Sequence, residues 1–199
     1  MMDWKALVVI MMSAVLVNNY VLSQFLGICP FLGTSKELKS SVGMGFAVIF
    51  VMLLATAATW PIQTYLLDQN GLGYLQTVVF ILIIAALVQL VEIILKKYIP
   101  ALYTALGVYL PLITTNCAIL GATIANIQKE YGFAESLVNA LGAGLGFLLA
   151  MVLFSGIRQQ IENADPPPSF KGVPVTLFSA AILSLAFFGF GGVIENMFG

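Results

Sequence analysis

Residues 69–91 read QNGLGYLQTVVFILIIAALVQLV, a run of 23 residues without a charged side chain. About 20 apolar residues in a helix cross the hydrocarbon core of a bilayer, and a helix satisfies its own backbone hydrogen bonds in lipid. This run therefore predicts a transmembrane helix. Uncharged runs predict five more spans: residues 6–35, 40–67, 98–128, 136–157 and 172–194.

The composition of the whole chain is typical of a membrane protein. Hydrophobic residues make up 60% of the 199 residues, charged residues make up 9%, and the mean hydropathy is +1.02. A soluble domain carries about 25% charged residues. The formal net charge of −1 disfavours nucleic acid as a partner, because binding a phosphate backbone requires clustered Lys and Arg. The absence of histidine excludes a His-ligated haem and a His general base.

Lysine and arginine are unequally distributed between the two sides of the predicted spans. Lys5 and Lys129 fall on one side. Six basic residues fall on the other: Lys36, Lys39, Lys96, Lys97, Arg158 and Lys171. Because cytoplasmic loops carry the excess of basic residues, this distribution predicts a multi-pass protein with both termini outside.

The two cysteines lie in related sequence contexts. Cys29 begins the sequence CPFLG and Cys117 begins CAILG, so C-x-x-L-G occurs twice. Three spans in each half give the halves opposite orientations in the membrane. We therefore predict an all-α polytopic membrane protein with six transmembrane helices arranged as two inverted three-helix repeats. Residues 1–199 form one membrane domain in this prediction, with repeat one in 1–97 and repeat two in 98–199.

Spans 1 and 4 carry the cysteines and are the longest uncharged runs. Thirty helical residues would extend about 45 Å, well beyond the hydrocarbon core. Gly27 and Pro30 flank the first cysteine, and Thr115 and Asn116 precede the second. Proline removes a backbone donor, and Thr and Asn side chains satisfy freed backbone groups. We expect broken half-helices in spans 1 and 4; a tilted, continuous helix is the alternative.

Two thiols within apolar spans permit only a few kinds of chemistry. A single cysteine in an apolar helix is usually a packing residue, but duplication of the motif weakens that explanation. A nucleophilic thiol would lack a histidine to activate it. A disulfide between the two cysteines is possible but would be of little use inside a hydrocarbon layer. Metal ligation remains, and an iron–sulfur cluster takes four thiolates. Cys29 and Cys117 are thus candidate metal ligands for half a cluster, surrounded by Gly27, Pro30, Thr115 and Asn116.

Three polar residues are candidates for an ion path. Asn18 and Asn19 lie within span 1, where hydrogen bonding between helices is the structural alternative. Glu92 follows span 3 and is the acid nearest the membrane interior, which makes it a functional hypothesis. Lys96 lies four residues later on the same helix face, so an ordinary ion pair is the alternative for Glu92.

A glycine series in span 5 has two interpretations. Gly142, Gly144 and Gly146 resemble a fragment of a phosphate-binding loop. No strand precedes them and no lysine follows, so close packing between helices is the better interpretation.

Both cysteine motifs closely resemble those of the A-type subunits of the bacterial Rnf complex. The sequences FLGICPFLG at residues 25–33 and LPLITTNCAILG at residues 110–121 carry this resemblance. Further similar stretches extend it over essentially the whole chain: residues 100–103, 156–158, 164–165 and 185–190. A related subunit of the sodium-pumping NADH:quinone reductase shares the same plan, but the Cys-Pro-Phe and Thr-Thr-Asn-Cys sequences are closer to Rnf.

The resemblance implies a function that the residues alone do not establish. Rnf moves electrons between reduced ferredoxin and NAD and couples this transfer to sodium or proton transport. Its A-type and E-type subunits are homologous, oppositely oriented, and share one intramembrane 2Fe-2S cluster with two cysteines from each. Cys29 and Cys117 would be this chain's ligands, and the chain would have no catalytic residue of its own.

The resemblance also implies partners and a location. The E-type subunit would be the direct partner, and the B-, C-, D- and G-type subunits would complete the complex, with the flavins and the NAD site outside this chain. The complex would lie in the bacterial cytoplasmic (inner) membrane. A transporter or channel subunit without redox chemistry is the alternative, a structural membrane scaffold is a third option, and the sequence does not determine the coupling ion.

Overall fold

The computed structural model describes residues 4–35, 37–71, 73–98, 110–164, 167 and 170–189. All regular secondary structure within these ranges is helical, as predicted for the all-α class. Labels in chain order are α1 Trp4–Met12, α2 Ile28–Thr34, α3 Leu38–Ile62, α4 Gln76–Tyr98, α5 Leu110–Thr114, α6 Cys117–Gln128, α7 Phe133–Asn163 and α8 Val173–Phe188. Four shorter helical segments complete the described structure: Ser13–Val17, Gln63–Leu67, Asp68–Asn70 and Gly73–Leu75.

Three helical stretches of the described chain are long and apolar enough to cross a membrane. They are Leu38–Leu67, Gly73–Ile94 and Phe133–Ile161, and they correspond to predicted spans 2, 3 and 5. Two shorter apolar helices, Leu7–Val17 and Val173–Phe188, lie in spans 1 and 6. Residues 99–109 of span 4 and 190–194 of span 6 lie outside the described residues. The six-span plan and its division into two inverted repeats stay predictions.

All three long helices extend beyond the uncharged runs that predicted them, α3 by two residues at its start. α4 continues past residue 91 through Glu92, Lys96 and Lys97. α7 covers residues 133–163, although its uncharged run is 136–157. Long charged side chains can reach the membrane surface from the last helical turns, so a charge marks the edge of the apolar layer and does not end the helix.

Close packing of α3 against α7 forms the centre of the fold. Added to Gly45 of α3, a Cβ would collide with a leucine side chain of α7. A Cβ on Gly144 of α7 would lie 2.8 Å from Cγ1 of Ile49 in α3. On another face of α7, a Cβ on Gly142 would lie 3.0 Å from the Cβ of Ala14. The predicted packing role of the glycine series is confirmed, since each glycine allows a neighbouring helix to approach closely.

The buried core connects these helices to the cysteine-bearing segments. Fully buried apolar side chains of α3, α6 and α7 belong to one cluster: Met44, Val48, Met52, Ile119, Phe147, Met151 and Phe154. Phe31 of α2 stacks on Phe154 of α7 with ring centroids 4.3 Å apart. The short helix that contains Cys29 therefore packs directly on the longest helix.

Candidate functional site

The chain around Cys29 is not a continuous helix. The first helical stretch ends at Val17, residues 18–27 form turns, and α2 then begins. Gly27, immediately before α2, has φ +80°, a backbone conformation that glycine adopts without strain. Pro30 lies in the first turn of α2, where no backbone N–H is required. The interruption predicted in span 1 is present, and Cys29 is the second residue of the new helix.

Asn19 stabilises the start of this interruption. Its amide nitrogen donates to the carbonyl oxygens of Val15 at 3.2 Å and Gly146 at 2.8 Å. Its side-chain oxygen accepts from the backbone N–H groups of Val21 at 3.1 Å and Leu22 at 3.3 Å. The hydrogen-bonding capacity of the side chain is thus used within the protein. These contacts fit the structural alternative considered for Asn19, and its role in an ion path stays a prediction.

The chain around Cys117 is interrupted in a similar way. α5 ends at Thr114 and α6 begins at Cys117. The side-chain oxygen of Asn116 accepts a hydrogen bond from the backbone N–H of Ala118 at 3.0 Å, so Asn116 caps α6. The Thr115 hydroxyl donates to the Pro111 carbonyl at 3.1 Å. Both polar residues before the cysteine therefore satisfy backbone groups at the break.

Gly27 and Asn116 bring the two cysteine-bearing segments into contact. A Cβ on Gly27 would lie 2.9 Å from the side-chain oxygen of Asn116 and 3.2 Å from the Cβ of Ala118. The backbone before α2 therefore packs on the first turn of α6. Cys29 follows Gly27 by two residues and Cys117 follows Asn116 directly, so each cysteine lies next to this contact in sequence.

Both cysteine thiols are free and exposed. Within the described residues, no group of three or more His, Cys, Asp and Glu side chains is arranged to hold a metal ion. The full sequence contains no histidine and no third cysteine. A thiolate-ligated cluster at these residues would therefore need ligands from a second chain, and exposure of both thiols leaves them accessible to one.

A cavity of about 320 Å³ lies beside Cys117, between α4 and the break that precedes α6. Its lining consists of Ile81, Ile84, Ala85, Thr114, Thr115, Asn116, Cys117 and Leu120. Asn116 is only 3% exposed, and its amide nitrogen has no hydrogen-bond partner in the described structure. A buried donor of this kind costs about 1–3 kcal/mol when it stays unpaired. An unsatisfied donor beside a free thiol fits an anionic iron–sulfur group.

Arg158 holds the opposite end of α2. Its Nη1 donates to the carbonyl oxygen of Leu32 at 2.7 Å and to the hydroxyl oxygen of Ser35 at 2.9 Å. A cation at a helix C-terminus also interacts favourably with the helix dipole. The contacts of Arg158 with α2 were not predicted from the sequence, since no local pattern connects it with residues more than 120 positions earlier.

The other ion-path candidates lie apart from the cavity lining. Asn18 donates from its amide nitrogen to the Ser13 hydroxyl at 3.0 Å. Glu92 is half-buried on α4, about two turns beyond the part of that helix that lines the cavity. The proposed ion-path roles of Asn18 and Glu92 stay predictions.

A buried amide pair between α6 and α7 was not predicted from the sequence. The amide nitrogen of Asn139 donates to the side-chain oxygen of Asn126 at 2.6 Å. Asn126 in turn donates to the Ser136 carbonyl at 3.4 Å. Asparagines in otherwise apolar helices were the available signal, but nothing in the sequence pairs one with the other.

Comparison with known proteins adds a family assignment to this geometry. Residues 7–194 match the family described as Rnf-Nqr subunit, membrane protein. The chain is 59% identical over 187 residues to the A-type subunit of the Na⁺-translocating ferredoxin:NAD⁺ oxidoreductase complex of Acetobacterium woodii, covering 94% of this chain and 97% of the relative.

Two further relatives are A-type subunits of ion-translocating oxidoreductase complexes. The Syntrophotalea carbinolica protein is 52% identical over 192 residues, which cover 96% of this chain and all of the relative. The Aliivibrio fischeri protein is 46% identical over 186 residues, which cover 94% of this chain and 96% of the relative.

Proposed function

The chain belongs to the Rnf-Nqr family of membrane subunits, and from this premise we propose that it is an electron-relay subunit of an ion-translocating ferredoxin:NAD oxidoreductase. In this proposal it holds half of a 2Fe-2S cluster within the cytoplasmic membrane. A homologous, oppositely oriented subunit supplies the other two ligands. Nucleotide and flavin chemistry takes place in other subunits of the complex.

The observation that carries the proposal is the contact between the two cysteine-bearing breaks. Two free thiols lie at the first or second residue of a new helix, and the backbone before one helix packs on the cap of the other. A chain that used its cysteines only for packing would have no need to expose both of them. Two exposed thiols on segments that touch, one of them next to a buried, unpaired amide, fit a shared metal group better than a core position.

The lengths of the half-helices support a location near the middle of the membrane. α6 has 12 residues and extends about 18 Å from Cys117 to the loop that contains Lys129. α2 has 7 residues and extends about 10 Å from its start to the loop before α3. Under the six-span topology these loops lie on opposite sides of the membrane. Each cysteine would then lie well inside an apolar layer of about 30 Å.

The chain's own residues hold and shield the proposed site. Cys29 and Cys117 would ligate the cluster, which when bound supplies a one-electron carrier within the apolar layer. Gly27 allows the two segments to touch, and Asn116 fixes the start of α6. Arg158 fixes the far end of α2. Apolar packing of α2 on α7 excludes water from this side of the site.

Purification of this chain together with its homologous partner tests the proposal. The pair should contain two iron atoms per heterodimer and show the electron paramagnetic resonance of a reduced 2Fe-2S cluster. The chain purified alone should hold no stable cluster. A properly assembled pair without iron would overturn the electron-relay role and favour a transporter or channel subunit without redox chemistry.

Ion coupling requires a second measurement on the whole complex. In sealed vesicles, NAD reduction by reduced ferredoxin should drive uptake or release of sodium or protons. Dependence on sodium and insensitivity to a protonophore would identify sodium as the coupling ion, and the reverse pattern would identify protons. Electron transfer without ion movement in tight vesicles would contradict the coupling part of the proposal.

A further inference from the structure

Only one of the two polar atoms of the Asn116 side chain has a hydrogen-bond partner. Its oxygen accepts from the backbone N–H of Ala118 at 3.0 Å, while its amide nitrogen has no partner in the part of the chain that the structure describes. The residue is 3% exposed, so water in bulk does not replace the missing acceptor. Buried polar groups are nearly always paired, which makes this nitrogen a site where an acceptor is expected.

The orientation of this amide is fixed by its neighbours. Exchanging the amide oxygen and nitrogen would place an N–H donor against the N–H of Ala118, and both donors would then be unsatisfied. Gly27 packs against the same oxygen, since a Cβ there would lie 2.9 Å from it. The nitrogen is therefore the atom without a partner while the oxygen caps α6.

The position of Asn116 indicates the chemistry of the expected acceptor. Asn116 directly precedes Cys117, and both residues line the cavity of about 320 Å³. The remaining walls of that cavity are mainly apolar, with Ile81, Ile84 and Leu120 among them. The Thr115 hydroxyl donates to a backbone carbonyl. No hydrogen bond joins the amide nitrogen to a lining hydroxyl or to the Cys117 sulfur in the described structure, so the acceptor is expected in a group that occupies the cavity, and a group ligated by Cys117 would bring sulfur there.

We propose that the Asn116 amide nitrogen donates a hydrogen bond to a sulfur atom of the shared iron–sulfur cluster and thereby raises its reduction potential. The inference rests on the proposed function of the chain. Reduction adds an electron to the cluster, so a donor to sulfur stabilises the reduced state more than the oxidised state. Asn116 is then a positioning residue with two tasks, because its oxygen caps α6 while its nitrogen adjusts the potential.

The variant Asn116→Ser in the co-purified pair separates these tasks. A serine hydroxyl can still accept the cap hydrogen bond, but the amide nitrogen, which extends farther from the backbone than the hydroxyl, is lost. We expect normal iron content and an equilibrium constant for one-electron reduction that falls about tenfold, equivalent to ~59 mV. The matched control is Asn126→Ser, which removes a buried amide from the same helix away from the cavity. The control should keep the wild-type potential.

A measurement on the wild-type pair covers the case in which Asn116→Ser fails to assemble. With nitrogen-15 confined to asparagine side chains, the reduced cluster should show a hyperfine coupling to one such nitrogen. Where the variant assembles, it should lack this coupling.

The outcomes distinguish this inference from the function on which it rests. A loaded wild-type cluster without the nitrogen-15 coupling, or a loaded Asn116→Ser cluster at the wild-type potential, would overturn the inference and leave the proposed function intact. An assembled wild-type pair without iron would overturn both.

Discussion

Gly27 limits what the contact between the cysteine-bearing segments can tolerate. Its φ of +80° is costly for any residue with a side chain, by roughly 1–2 kcal/mol. A Cβ there would also lie 2.9 Å from the side-chain oxygen of Asn116. We expect Gly27→Ala to separate the first turn of α6 from α2 and to lower the iron content of the pair, measured against protein concentration.

The control for this substitution is Gly156→Ala in α7. A Cβ at Gly156 would meet no atom within 4 Å in the described structure, and alanine is the better helix former by about 1 kcal/mol. This variant should retain its iron and its thermal stability. If Gly27→Ala retained full iron content as well, the close contact would not be needed to hold the site.

The residues of the site divide according to whether their partners are local. Asn116 caps a helix that begins one residue later, so its role could be predicted from the Thr-Thr-Asn-Cys sequence. The helix break at Gly27 and Pro30 was likewise predicted, because both residues flank a cysteine in a span longer than the membrane requires. Arg158 was missed because its acceptors at Leu32 and Ser35 are far away in sequence and depend on how α2 packs.

At the scale of elements, α2 is a short helix that depends on its contacts. Its 7 residues are too few to be stable alone, since isolated helices below about 12–15 residues are marginal. The stacking of Phe31 on Phe154 and the hydrogen bonds from Arg158 hold it in place. Cys29 is therefore positioned by α7 as much as by its own helix.

Arg158→Gln tests this dependence on α7. Loss of the charge and of the two hydrogen bonds should destabilise the pair by about 1–3 kcal/mol. The thermal unfolding midpoint should fall, and the iron should be lost at lower temperature than in the wild type. Gln160→Ala, an exposed position on the same helix, provides the control. An unchanged midpoint in Arg158→Gln would show that α2 is held by other contacts.

Helix existence was easier to predict than helix boundaries. The positions of charged residues located the apolar layer. However, α4 continues through Glu92 to Tyr98, because charged side chains can extend to the membrane surface. The breaks at both cysteines followed from run length, glycine and proline. The packing of α3 on α7 through Gly45 and Gly144 could not be predicted, because glycine spacing alone does not identify the partner helix.

At the scale of the whole molecule, the predicted topology assigns a side to each loop. The loop between α6 and α7, with Lys129, should lie outside, and the loop between α7 and α8 should lie in the cytoplasm. The second loop is on the side that holds six of the eight basic residues, and cytoplasmic loops carry the excess of Lys and Arg. Reporter fusions after Gly132 and after Pro167 should therefore give opposite readings. A cytoplasmic reading at Gly132 would invert the orientation, and equal readings would remove α7 as a span.

The central claim is that Cys29 and Cys117 each supply a ligand to a cluster shared with a second subunit. The most direct test is the iron content and electron paramagnetic resonance of the co-purified pair carrying Cys29→Ser or Cys117→Ser. The chain has no other cysteine that could substitute for either one. Either variant should lose the cluster signal and electron transfer from ferredoxin to NAD, while the pair still assembles. A normal signal with full iron content in either variant would contradict the account.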